Sequence, residues 1–116
     1  MQYMLLIYQN EKEVDNQPAT ARNAMHEEYG AFTQSIVKAG KFKAGDALQR
    51  ATTATTVRVR NGKVMTTDGP FAETREQLSG YYLIDAKDLD EAIGLAARVP
   101  SAKHGSIEIR PVMIMQ

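Results

Sequence analysis

The apolar residues of this chain change their spacing four times along its 116 residues, and that alternation of periods leaves few folds open. The run Gln2 to Tyr8 is apolar at nearly every position and rich in strand formers, which suits a central strand buried on both faces. A polar stretch, Gln9 to Gln17, ends at Pro18. From Ala21 onward Met25, Tyr29, Phe32 and Ile36 recur at spacings of four, three and four, one face of a long helix that Gly40 is placed to end. Between Ala44 and Thr53 the pattern weakens, and a short strand or a loop fits equally. Strand alternation resumes at Thr55 to Arg60 and Lys63 to Thr67 around Asn61-Gly62, the dipeptide suited to a two-residue type I′ turn. That turn sets a register of Arg60 with Lys63, Val59 with Val64, Arg58 with Met65 and Val57 with Thr66, so Val57, Val59 and Val64 are expected to face the core.

Tyr81 to Ile84 reads as a further strand. Asp88 and Glu91 form a capping pair for a second helix whose buried stripe is Leu89, Ala92, Ile93, Ala96 and Val99, with Pro100 ending it. Ser106 to Arg110 is the closing strand, with Ile107 and Ile109 pointing one way, before Pro111 limits continuation to an edge or a bulge. The order strand, helix, strands, helix, strand predicts an α+β domain over residues 1–116, a ferredoxin-like sandwich with two helices on one face of an antiparallel sheet. The open face is expected to pair with a second copy, and the apolar tail Val112 to Met115 to reach across that partner.

Lys plus Arg equals Asp plus Glu at 14 each, so no net field draws the chain to nucleic acid or acidic lipid. The absence of cysteine excludes disulfides, thiolate zinc sites and cysteine nucleophiles. His26 and His104 are not at metal-ligand spacing, so neither a metal nor a cofactor is expected. The N-terminal apolar run, Met4 to Tyr8, is far short of a signal core or the roughly 20 residues of a membrane span, and a cytoplasmic location is the simplest reading.

Asp68-Gly69-Pro70-Phe71 is the densest local signal. Asp closes turns through its carboxylate, Gly takes backbone angles closed to other residues, and Pro fixes φ. One reading is a strand-ending turn with Phe71 tucked into the core; the other is a rigidly presented Asp68 at a site. His26 sits about 100° round from the apolar stripe of the first helix, on a flank shared with Arg22, Gly30 and Thr33. An imidazole with an ordinary pKa of about 6.5 can exchange a proton near neutral pH, and a carboxylate on its other nitrogen would make it more basic. The competing reading is a plain surface histidine. His104 falls in a loop, and Arg58, Arg60 and Lys63 crowd the hairpin as a solvated edge or an anion contact. Neither a phosphate-binding glycine loop nor a nucleophile elbow is present.

The segment Thr67 to Tyr82, built around Asp68-Gly69-Pro70-Phe71, resembles the YCII-related family in the branch named for Asp-Gly-Pro-Phe. The likeness continues through Asp88-Leu89-Asp90-Glu91-Ala92 and Glu108-Ile109-Arg110-Pro111-Val112. The resemblance implies a ferredoxin-like fold pairing as a dimeric α+β barrel, with a cleft that looks like an active site, and a setting beside extracytoplasmic-function sigma factors. The spacing of Arg22 and His26 is similar to the first helix of YCII-related proteins, where the histidine is proposed to work with an aspartate. Here Lys38 and Ala39 end the helix without one, which leaves Asp68 or Asp46 to supply it. The expectation is a homodimer binding a small molecule, with His26 and Asp68 as acid-base residues and Arg22, Asp46 and Phe71 as ligand contacts. The alternative is a non-catalytic accessory protein tied to a sigma factor or another regulator.

Overall fold

The computed structural model describes residues 1–115. Its strands are β1 (Gln2–Gln9), β2 (Phe42–Ala47), β3 (Thr55–Arg60), β4 (Lys63–Asp68), β5 (Gln77–Asp85) and β6 (Ser106–Pro111). The helices are α1 (Glu11–Asp15), α2 (Ala19–Lys38) and α3 (Leu89–Ala97), with 3₁₀ turns at Ala51–Thr53 and Pro100–Lys103. Four strands form one antiparallel sheet in the order β2-β5-β1-β6, while β3 and β4 pair only with each other.

β1 takes the centre because both of its faces are apolar. Tyr3, Leu5 and Ile7 are buried beside Tyr82 and Ile84 of β5 and under Phe32 and Ile36 of α2. Met4, Leu6 and Tyr8 point to the other face, where they lie beside Leu83 and Tyr81 and remain half-buried, with no helix over them. α3 adds Ala92, Leu95 and Ala96 to the core, and Val99 follows it there. The Cα envelope is a slab of 47 × 47 × 18 Å.

The helix ends follow from local chemistry. Gly40, at φ 73°, reverses the chain after α2, so its N–H reaches the Val37 carbonyl and that of Lys41 the Ile36 carbonyl, satisfying two otherwise free acceptors. Asp88 caps α3 by accepting from the Glu91 N–H at 2.9 Å, as the Asp/Glu spacing predicts. The Glu91 carboxylate bonds the Lys87 N–H, one residue earlier than a capping box requires, and also Lys41 Nζ at 2.8 Å.

Asn61 and Gly62 both have positive φ, 53° and 75°, and the β3–β4 register is the one that a type I′ turn dictates. The expectation that its valines face the core is overturned: Val57, Val59 and Val64 are 60%, 59% and 71% exposed. The hairpin forms a two-stranded sheet of its own instead of joining the four-stranded one, and its apolar face is left largely uncovered. The predicted stripe of α3 also needs correction, because Leu89 and Ile93 are exposed and Leu95 is buried in their place. Leu89 is the first residue of the helix, and Ile93, one turn later, shares its outer side.

Two helices were expected and three form. The additional one, α1, lies in the polar stretch before Pro18; Asn10 caps it by accepting from the Glu13 N–H at 3.1 Å. It has no buried residue and is held by polar bonds instead. Glu11 accepts from the Ala51 N–H at 2.9 Å and donates its own N–H to Gln77 Oε1 at 3.0 Å, while Asp15 pairs with Arg50. α1 is therefore a clasp across the two chain segments that lead into and out of the hairpin.

Candidate functional site

α2 puts His26 on its exposed flank, one turn from Gly30. An open groove of about 660 Å³ runs along this side of the helix, lined by His26, Tyr29, Gly30, Thr33, Val37 and Lys38 among others. Two hydroxyl pairs fix side chains of α2, one to the 3₁₀ turn after α3 and one to β5. Tyr29 Oη meets Ser101 Oγ at 2.5 Å, and Thr33 Oγ1 meets Tyr82 Oη at 2.7 Å. Burial pushes the Tyr29 phenol above its usual pKa, against the opposing pull of the Ser101 bond, so it stays neutral through physiological pH. At Gly30 a Cβ would meet nothing within 4 Å, so its missing side chain widens the groove beside the imidazole.

The groove gathers His26, Gly30 and Thr33 as the helical spacing predicts, but not Arg22, which is exposed one turn earlier. Nor does either candidate aspartate line it. Asp46 on β2 lies opposite Tyr81, whose neighbour Tyr82 faces the helices, so Asp46 belongs to the uncovered face of the sheet, away from α2. There its carboxylate accepts from Tyr81 Oη at 2.7 Å.

Asp68 ends β4 at the root of the hairpin. Its corner is pinned by the Gly69 N–H to the Ala54 carbonyl at 2.7 Å and by Thr56 Oγ1 to the Gly69 carbonyl at 2.8 Å, with Gly69 at φ 102°. Phe71 is 78% exposed, so the turn-with-buried-Phe71 reading fails; the ring projects into solvent because the chain after Pro70 runs along the outside of the subunit. Downstream, Gln77 Nε2 donates to the Thr74 carbonyl at 2.7 Å and Gln77 Oε1 receives α1, which ties the motif segment to the clasp. Glu11, Asp15 and Gln77 were missed as residues that position the motif; the Asn10 to Glu13 capping spacing was the available signal.

His104 is exposed after a 3₁₀ turn, as expected for a loop. Among the described residues there is no cluster of three His, Cys, Asp or Glu side chains that could hold a metal ion, and no helix is long and apolar enough to cross a membrane.

The Asp46–Tyr81 bond has a measurable consequence. The hydrogen bond to Asp46, reinforced by its negative charge, raises the Tyr81 pKa. A raised folded-state value means that the stabilisation is complete below the unfolded tyrosine pKa near 10 and is lost as pH rises through the folded value. Asp46→Asn should bring the Tyr81 titration back toward 10, seen as earlier tyrosinate absorbance in an alkaline titration. An identical curve would mean that the bond does not form in solution.

Similarity to known proteins accords with the residue pattern. An uncharacterized protein of Rhizobium meliloti (strain 1021) is 36% identical over 116 residues, spanning 98% of this chain and 94% of that protein. The YCII-related domain family matches residues 1–116, the whole length of the sequence, and the chain belongs to that family.

Proposed function

We propose that this YCII-related chain, of the Asp-Gly-Pro-Phe branch, is a ferredoxin-like subunit of a homodimeric α+β barrel that binds a small molecule in the groove beside His26. The observation that carries the binding reading is that groove: a helix-borne imidazole next to a glycine that leaves room for a ligand. The half-buried apolar residues Met4, Leu6 and Leu83 on the uncovered sheet face favour pairing of two copies. In this reading His26 exchanges a proton with the ligand. Because neither Asp68 nor Asp46 lines the groove within a subunit, the partnering carboxylate, Asp68, comes from the second copy on its hairpin root. Arg22 and Phe71 then border the ligand, and Asp46 serves the barrel interior.

The test is native mass spectrometry of protein purified gently from cells. The wild type should run at twice the 12.9 kDa subunit mass with a retained metabolite. His26→Ala, at an exposed position, should keep the same melting curve and lose that added mass. Gly30→Ala, which fills the groove with a methyl group and favours the helix by up to about 1 kcal/mol, should lose the ligand while melting higher. Equal ligand retention in both variants would remove the groove from consideration.

The exposed Phe71 and the exposed tail residues Met113, Ile114 and Met115 favour the second reading, an accessory protein that docks on a sigma factor or another regulator. Under it, Phe71→Ser abolishes partner binding and His26→Ala has no effect.

A further inference from the structure

We infer that the β3–β4 hairpin is an arm that grips a second copy of this chain through the face bearing Val57, Val59 and Val64. The inference rests on the dimeric reading above and names the contact that would hold the dimer.

The pattern of the hairpin is one made for burial. Val57, Val59, Val64 and Thr66 share one face, while Arg58, Arg60, Lys63 and Met65 share the other, the alternation of a strand pair with one dry side. Yet the three valines are at least 59% exposed; the root bonds between Ala54, Thr56 and Gly69 close the hairpin on itself, and its approaches are tied to the body through α1 at Ala51 and Gln77. A two-stranded hairpin with an uncovered apolar face is marginal in water by itself. The cover must come from another molecule.

Charge and dimensions both favour a second copy as that molecule. Val57 to Met65 carries three basic residues and no acid, which leaves 11 basic against 14 acidic residues on the remainder of the chain. Arg58, Arg60 and Lys63 lie on the face opposite the valines, so this charge acts at long range, steering a positive arm toward the negative body of another subunit, and the exchange is reciprocal, as a two-fold dimer requires. The dimensions agree. Strands of six residues reach roughly 20 Å, and two strands with their side chains cover about 10 Å across, so each arm lays down about 200 Å². An arm given and an arm received supply about half of the roughly 800 Å² per partner in a standard interface, and the uncovered sheet face supplies the rest. α1 and its bonds to Ala51 and Gln77 hold the arm's root in position before it meets the partner.

Sedimentation equilibrium on the full chain tests this. Val59→Asp/Val64→Asp should raise the dimer dissociation constant by about 100-fold or more, the loss expected when two valine contacts per arm are replaced by desolvated carboxylates. Because both valines are exposed in the subunit, its circular dichroism should be unchanged. The milder Val59→Thr/Val64→Thr pair keeps strand propensity and should raise the constant about tenfold. Met65→Asp, on the opposite face, should leave it within about threefold. A wild-type dimer that the valine variants leave equally tight, or that Met65→Asp weakens most, overturns the arm while the dimer stands. A wild type that remains monomeric at high concentration overturns both.

Discussion

Leu5→Ala should destabilise the subunit by about 3 kcal/mol, enough to lower its melting temperature by roughly 10–20 °C. Leu5 is 0% exposed at the centre of β1, with Tyr82 beside it on one strand and Ile109 on the other, and the α2 residues Phe32 and Ile36 close the same core. Truncation there removes a buried isobutyl group and leaves a cavity that three elements would have to shift to fill. Leu6→Ala supplies the comparison. Its side chain lies on the uncovered face and is already half-hydrated, so the subunit should lose only about 1 kcal/mol. Thermal unfolding of the two variants at a concentration that keeps the protein monomeric checks the assignment of faces, and equal losses would mean that the sheet is not covered on one side alone.

Gly105→Ala should cost a similar amount, about 3 kcal/mol, for the opposite reason. A Cβ at this position would overlap the carbonyl oxygen of Tyr8, and it would also come within 3.4 Å of the Gln9 Cα. These are main-chain atoms, so no side chain can swing aside; either β6 enters the sheet displaced or the Tyr8–Ser106 pairing is lost. Gly94→Ala on α3, where a Cβ meets nothing within 4 Å, should instead stabilise by up to about 1 kcal/mol. Denaturant titrations of both variants would reveal the opposite signs, and a neutral Gly105→Ala would show that the close approach is absent in solution.

Gly105 also illustrates what could not be read from sequence. A glycine between His104 and Ser106 looks like any loop residue, because the carbonyl that crowds it comes from a strand almost 100 positions away in the chain. What was legible was local. The Asn61-Gly62 turn fixed a register that the structure reproduces pair for pair, and the spacing of Phe32 and Ile36 identified the buried stripe of α2. The misreadings share a cause as well. Burial of Val57, Val59 and Val64 was inferred from alternation, which reports that a face is apolar but not which molecule covers it. Of the predicted α3 stripe Ala92, Ala96 and Val99 are buried, but Leu95 takes the place of Leu89 and Ile93, a choice of rotation made by the sheet below. For the site, the flank joining His26 to Gly30 and Thr33 follows from helical geometry alone. The path of Asp68 away from that groove depends on where the hairpin projects, and no short-range signal records it.

The thinness of the subunit bears on any reaction carried out beside His26. Within an 18 Å slab, one helix layer on one sheet, no point on the molecular surface is far from bulk solvent. A ligand lying along α2 would keep one side in a high-dielectric medium, where a neighbouring charge acts weakly and water competes for every proton. Dry, strongly polarising surroundings require a wall that this chain does not build alone; under the proposed reading only the hairpin root of a second copy could supply it, so any proton transfer at His26 would depend on that arm.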